Sequence, residues 1–285
     1  MTRPQRAPKP HSLFAMLAAR ALRATLIVDR ASTWFDRIRS KLVVSCVSDA
    51  VLDAYNAIAY GASGNYDPAS ARFRADWFPW EAAAIGAFFP AAPSRVLVGG
   101  AGGGREALCL AAAGYDVTAF EPVRELVAAL DGCTRDTGCR ALVGRYETLP
   151  EVTSLDGTAL SLRAGSRFDA GIMGWGSLAH VRRDADRLYA IRQFVGLVRG
   201  PVLLSVYPEL WNPQHRRLER WLHAEGALFS PGLGRVETFD EARFQDLLSR
   251  AGVEVLSFDV SARIDNWPHA VVQDRREASL SYRPS

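Results

Sequence analysis

The sequence predicts an α/β protein built on a doubly wound, mostly parallel seven-stranded sheet, with an N-terminal helical layer and a helical cap insertion. Three observations carry that expectation. Short apolar runs alternate with helical stretches beyond about residue 90, the first of these runs ends in a glycine-rich turn that opens a helix, and most of the chain before it has helical periodicity.

Taken in order, residues 1–11 hold three prolines and several cations but almost no apolar side chains, the composition of a disordered basic tail. Ser12 is a plausible N-cap for the helical region 12–90, expected to form a lid or an oligomerisation surface, with a break where Gly, Asn, Asp and Pro cluster between Gly61 and Pro68. Seven strands are then expected: Arg95 to Val98, Asp116 to Phe120, Arg140 to Val143, Phe168 to Met173, Val202 to Val206, Val253 to Val260 and His269 to Gln273. Together they define a domain over 91–275. A polar and aromatic stretch at 208–240, with Trp211, His215, Trp221 and His223, reads as a cap insertion over the carboxyl ends of the strands. Residues 276–285 form a C-terminal tail.

Composition excludes several classes. The 285 residues are 48% hydrophobic and 23% charged with a net charge of +3, too weak a positive balance for a DNA-binding protein. Cys46, Cys109, Cys133 and Cys139 have neither zinc spacing nor a disulfide pattern, so reduced thiols in a cytoplasm are expected and no metal is. The most apolar stretch, Leu13 to Val28, is interrupted by Arg20 and Arg23, short of a membrane span. Its basic flanks leave a membrane-surface helix open. The stronger reading is a helix whose Leu13, Leu17 and Leu26 stripe packs on the core or on a second copy in a homodimer.

The most informative segment is R-V-L-V-G-G-A-G-G-G-R-E-A-L, Arg95 to Leu108: a buried strand, a glycine turn and the start of a helix. Gly100, Gly102 and Gly104 alternate, which lets the backbone turn sharply and approach a ligand while the next helix aims its N-terminus at the same crevice. Glu121, twenty-one residues after Gly100, stands at the tip of the second strand, where a carboxylate can accept both hydroxyls of a ribose. The dinucleotide fingerprint G-x-G-x-x-G is not met, because Arg105 occupies the place of its third glycine. A nicotinamide-dependent oxidoreductase is therefore the weaker alternative.

With Val96 to Gly104, Glu121, Phe168 to Met173 and the C-terminal F-D-E-A-R-F-Q-D-L-L-S-R-A-G-V-E-V, the chain from Pro90 to Asp274 resembles the class I S-adenosylmethionine-dependent methyltransferases, whose fold is Rossmann-like. The resemblance implies S-adenosyl-L-methionine as cofactor. It places Gly100, Ala101, Gly102 and Gly104 at the methionine and ribose, Glu121 and Pro122 at the ribose, Tyr146 and Glu147 at the adenine, and the Gly174 and Trp175 backbone at the methionine amine. Two positions depart from the family pattern: Val98 stands where an acid is common, and Arg145 where another often follows the glycine of the third loop.

Methyl transfer is an in-line displacement, so the protein must chiefly align the reactants and, for a protonated acceptor, supply a base. His180, in M-G-W-G-S-L-A-H-V, and Tyr207 are the candidate catalytic groups, the alternative for His180 being a structural histidine that caps the next helix. Trp175, Ser177, Trp211, His215, Tyr60 and Tyr66 are candidate substrate contacts. No N-P-P-Y or D-P-P-Y segment and no proline-cysteine pair point to DNA bases. What remains is an oxygen, nitrogen or carboxylate of a small molecule or peptide, as in natural-product tailoring, with a non-catalytic cofactor-binding module or an RNA or protein methyltransferase as alternatives.

Overall fold

A computed structural model describes residues 42–61, 66–68, 73–134, 137–163, 167–209, 226–230, 234–261 and 266–275, together with 32, 34–35, 38–40, 70 and 165. The expected basic tail, the Leu13 to Val28 stretch, Trp211, His215, Trp221, His223 and residues 276–285 lie outside these.

The elements run α1 (Asp49–Gly61), α2 (Pro79–Phe88), β1 (Arg95–Gly99), α3 (Arg105–Ala112), β2 (Asp116–Glu121), α4 (Arg124–Thr134), β3 (Cys139–Val143), β4 (Glu151–Thr153), β5 (Ala159–Ser161), β6 (Ala170–Met173), α5 (Asp184–Leu197), β7 (Val202–Ser205), β8 (Ala227–Ser230), β9 (Gly234–Glu237), α6 (Glu241–Ala251), β10 (Val253–Asp259) and β11 (His269–Asp274). Among the described residues the main sheet has the order β10-β11-β7-β6-β1-β2-β3-β4-β5. Pairings from β7 through β6, β1 and β2 to β3 are parallel, while β11 runs antiparallel to both β7 and β10.

All seven expected strands form. The sheet nevertheless has nine, because the β4–β5 hairpin extends the β3 edge through the single pairing of Val143 with Thr153. Each of those two strands is three residues long, too short to show an alternating apolar pattern in the sequence. The 208–240 insertion is described at 208–209, 226–230 and 234–240. Its described part forms the antiparallel β8–β9 hairpin, in which A-L-F-S and G-R-V-E supply strand-forming side chains on either side of a Pro- and Gly-containing connection.

The core lies on both faces of the sheet, which is why the parallel strands read as continuous apolar runs. Val96 and Val98 of β1 face α2, α3 and α4 with Ala107, Leu110, Val127 and Leu130, whereas Leu97 between them faces α5 and α6 with Phe194, Phe244 and Leu247. Helix α6 is punctuated at both ends, by Asp240 accepting the Arg243 N–H at 2.8 Å and by Gly252 at φ 77°.

The chain passes from β1 outward to β2 and β3, then returns to the other side of β1 with β6. A crevice opens at that reversal, at the carboxyl ends of β1 and β6. Its floor is closed by Gly174, whose N–H donates to the Gly99 carbonyl at 2.8 Å. A methyl on Gly174 would stand 2.8 Å from the Gly100 oxygen and 3.0 Å from the Gly99 oxygen, both main-chain atoms. Gly174→Ala is thus expected to destabilise the protein by about 1–3 kcal/mol, read as a lower urea midpoint at unchanged slope.

Candidate functional site

The glycine turn after β1 is left-handed at Gly100 (φ 60°), Gly102 (φ 55°) and Gly104 (φ 87°), a conformation costly for any residue with a Cβ. It brings the Gly102 N–H to Glu121 Oε2 at 2.9 Å, while the Val123 N–H, just ahead of α4, donates to Oε1 at 3.1 Å. Each carboxylate oxygen thus spends one acceptor site on the backbone and keeps another. Glu121 is buried, and burial pushes its carboxyl up to about 7 against the opposing pull of the two N–H donors and Arg145.

Glu121 lines a cavity of about 180 Å³, together with Gly100, Gly102, Pro122, Tyr146, Glu147, Trp175, Ser177, His180, Tyr60 and Tyr66. The structure thereby gathers ten sequence-predicted residues with Glu121 around one space. Four others stand behind the lining. Ala101 is buried with its N–H on the Phe120 carbonyl, Gly104 abuts Leu130, Gly174 holds the floor, and Tyr207 sets its ring edge-on to Trp267 at 5.1 Å.

Several predicted residues have duties that only the fold reveals. Tyr146 is buried between Phe120 and Phe194, and its hydroxyl shares a 2.7 Å hydrogen bond with Ser177 Oγ. Burial raises its phenol far above the usual range, so it is a neutral structural group. Tyr60 Oη lies 2.9 Å from His180 Nε2, and Tyr66 packs edge-on against Tyr60 at 4.8 Å. His180 closes a 3-10 turn, Ser177–His180, rather than capping α5. Trp175, 39% exposed, touches Phe78 and Trp267, continuing an aromatic wall outward from the cavity.

Sequence reasoning missed the clamp that fixes the segment before β1 on the glycine turn. Arg105, the first residue of α3, binds both oxygens of Glu81 at 2.6 Å, Glu106 at 2.8 Å and the Asp76 carbonyl at 3.0 Å, with its guanidinium over the Phe78 ring. Glu106 in turn accepts the Trp175 N–H at 3.0 Å, so one buried ion triad ties α2, α3 and the tip of β6 together. The only sequence signal was an arginine–glutamate pair directly after the glycines; its partner Glu81 is 24 residues away. Asn56 of α1 and Val123, Leu126 and Val181 also line the cavity without having been singled out.

Neither a family model nor a curated protein matches this sequence. Solved structures do match. A SAM-dependent methyltransferase from Methanosarcina mazei superposes with a TM-score of 0.51 at 19% identity over 69% of this chain and 96% of that one. The CcbJ methyltransferase from Streptomyces caelestis gives a TM-score of 0.53 at 18% identity over 77% and 99%. The fold is that of the S-adenosylmethionine-dependent methyltransferases.

Within this methyltransferase fold, Arg105 connects the cleft to the N-terminal region. Its side chain is 15% exposed and that of Glu81 2%, so removing the guanidinium strands two carboxylates in a poorly solvated place. Arg105→Ala is expected to cost about 3–5 kcal/mol in urea unfolding. Arg105→Lys, which cannot bind both Glu81 oxygens as a planar fork, should fall between it and the unaltered protein.

Proposed function

We propose that the chain is an S-adenosylmethionine-dependent methyltransferase acting on a small molecule or peptide. The observation that carries this reading is the Glu121 carboxylate, pinned by two backbone N–H groups at the end of β2 with an acceptor site left on each oxygen beside the glycine turn. A vicinal diol suits that arrangement, since two hydroxyls can donate to the two oxygens of one carboxylate. The adjoining Gly100 and Gly102 present main chain without side chains, as the close approach of an adenosine requires.

The cofactor brings the activated methyl group; the protein orients it and the acceptor. Glu121 would hold the ribose. Pro122, Tyr146 and Glu147 lie on the same wall, where Gly144, Arg145 and Leu126 complete a pocket for a base. Trp175, Ser177, Tyr60, Tyr66 and His180 line the remainder and would meet the acceptor. Their aromatic surface favours an acceptor with an extended apolar face, the property that also supports natural-product tailoring over macromolecular methylation. Among the described residues no helix is long and apolar enough to cross a membrane.

Calorimetry with S-adenosylhomocysteine tests the proposal directly. The unaltered protein should bind it, and Glu121→Ala should weaken binding by about 1.5–3 kcal/mol, roughly 10- to 150-fold. Absence of binding by the unaltered protein would refute the assignment.

The pH dependence follows from the carboxyl's raised pKa, about 7. A neutral acid offers fewer acceptor sites to a diol, so affinity should rise with pH up to about 7 and level off above it, with a drop of about tenfold one unit below. The folding linkage has the opposite sign: the ionised buried carboxyl costs stability increasingly as pH climbs from its ordinary range towards 7. Glu121→Gln should flatten the affinity profile between pH 6 and 8.

A further inference from the structure

Two groups in the cavity wall form a unit that neither makes alone. Tyr60 is contributed by α1 and His180 by the turn after β6, 120 residues later, yet Tyr60 Oη and His180 Nε2 are 2.9 Å apart and both line the cavity that holds Glu121. The charged lining residues among those described, Glu121, Arg145 and Glu147, all come from the β2 tip and the turn after β3. The wall made by Asn56, Tyr60, Tyr66, Trp175, Ser177 and His180 offers rings, hydroxyls, an amide and one imidazole.

That chemistry discriminates between acceptor atoms. A carboxylate is already nucleophilic at neutral pH, and a neutral amine carries its own lone pair, so neither needs a base in order to attack. A hydroxyl is uncharged on arrival but must lose its proton as it is methylated, and the wall provides a route for that proton.

Resting on the methyltransferase reading, we infer that the acceptor atom is a hydroxyl oxygen and that Tyr60 and His180 act together as its proton relay. An oxygen lone pair forms the bond to the methyl carbon while the carbon–sulfur pair stays on sulfur, which loses its positive charge. The hydroxyl proton passes to Tyr60 Oη as the Tyr60 proton passes to His180 Nε2. After the methyl ether leaves, the imidazolium returns its Nε2 proton to Tyr60 Oη as the Tyr60 proton passes to water entering the cavity, because His180 Nδ1 is buried.

Tyr60 has to hand on one proton as it receives another, because burial, with Tyr66, Glu121 and Tyr207 nearby, keeps its phenol far above the usual range. From β9, packed on the His180 turn, the charged groups are Arg235 and Glu237, which pair with each other at 3.2 Å. The relay requires the His180 tautomer with hydrogen on Nδ1, leaving Nε2 to accept from Tyr60.

The test uses the full chain, methyl-labelled S-adenosylmethionine and three matched probe sets: substituted phenols, benzoates and anilines. Transfer to phenols alone is expected. Tyr60→Phe and His180→Gln should each lower kcat on the best phenol at pH 7 by about 100-fold, and the double variant by little more, as for residues acting as a unit. In the single variants, activity should recover by about tenfold per pH unit as the phenol itself ionises. Binding of S-adenosylhomocysteine by each variant serves as the check on folding. Preferred transfer to benzoates or anilines, no transfer to any phenol by a protein that binds S-adenosylhomocysteine, or full kcat in Tyr60→Phe would each overturn the relay while leaving the methyltransferase reading standing. Failure of the unaltered protein to bind S-adenosylhomocysteine overturns both.

Discussion

The cleft depends on one buried carboxylate. Glu121 takes the Gly102 N–H on one oxygen and the Val123 N–H on the other, so it fixes both the exit from β1 and the entry to α4. Left-handed φ values at Gly100 and Gly102 are what make the first of those bonds geometrically available. Its position on the sheet follows from pairing: parallel register places Phe120 beside Gly99, so the next residue, Glu121, overhangs the turn. Burial raises the free energy of the ionised form, and a bound diol would offset that cost by adding hydrogen bonds to it. Stability given up in the free protein would return as affinity for such a ligand.

A second constraint joins the N-terminal region to this centre. The Glu81–Arg105–Glu106 triad is nearly dry, with close hydrogen bonds, and it ends on the Trp175 N–H. Burial alone would neutralise Glu81, pushing its carboxyl up, but the Arg105 fork holds it in place and its other contact, the Phe78 N–H, starts α2. Buried ion groups of this kind add little net stability and set geometry instead, since a misplaced partner is heavily penalised. Here the geometry fixed is that of Trp175, with Phe78 packed against it, and of the glycine turn, two walls of one cleft.

The remaining wall is assembled from distant parts of the chain. Helix α1 delivers Tyr60 and Asn56, the turn after β6 delivers Ser177 and His180, and β8–β9 packs on α1 through Phe229 on Tyr55 and Gly234 against Asn56 while β9 also meets the turn. The two ends of the cavity therefore differ in origin as well as in chemistry. The end with Glu121 is built within a compact β-α-β unit, and the opposite end is built by the elements laid over it.

The sequence by itself determined the parts whose causes are local: strands recognisable as apolar runs, the glycine turn at 100–104, and Glu121 set by the length of one β-α-β unit. Those features are legible because turn conformation and strand spacing are governed by neighbours a few residues away. The β4–β5 hairpin escaped, being too short to carry a pattern, and so did the four-residue strands of the β8–β9 hairpin within the insertion. Only the tertiary structure decided which side chains meet: that Arg105 reaches Glu81, that Ser177 is occupied by Tyr146, that Tyr207 stands behind the lining, and that Tyr60 bonds His180. Such pairings depend on how helices pack across the sheet, an arrangement set by the whole core rather than by any stretch of chain, so no local pattern encodes them.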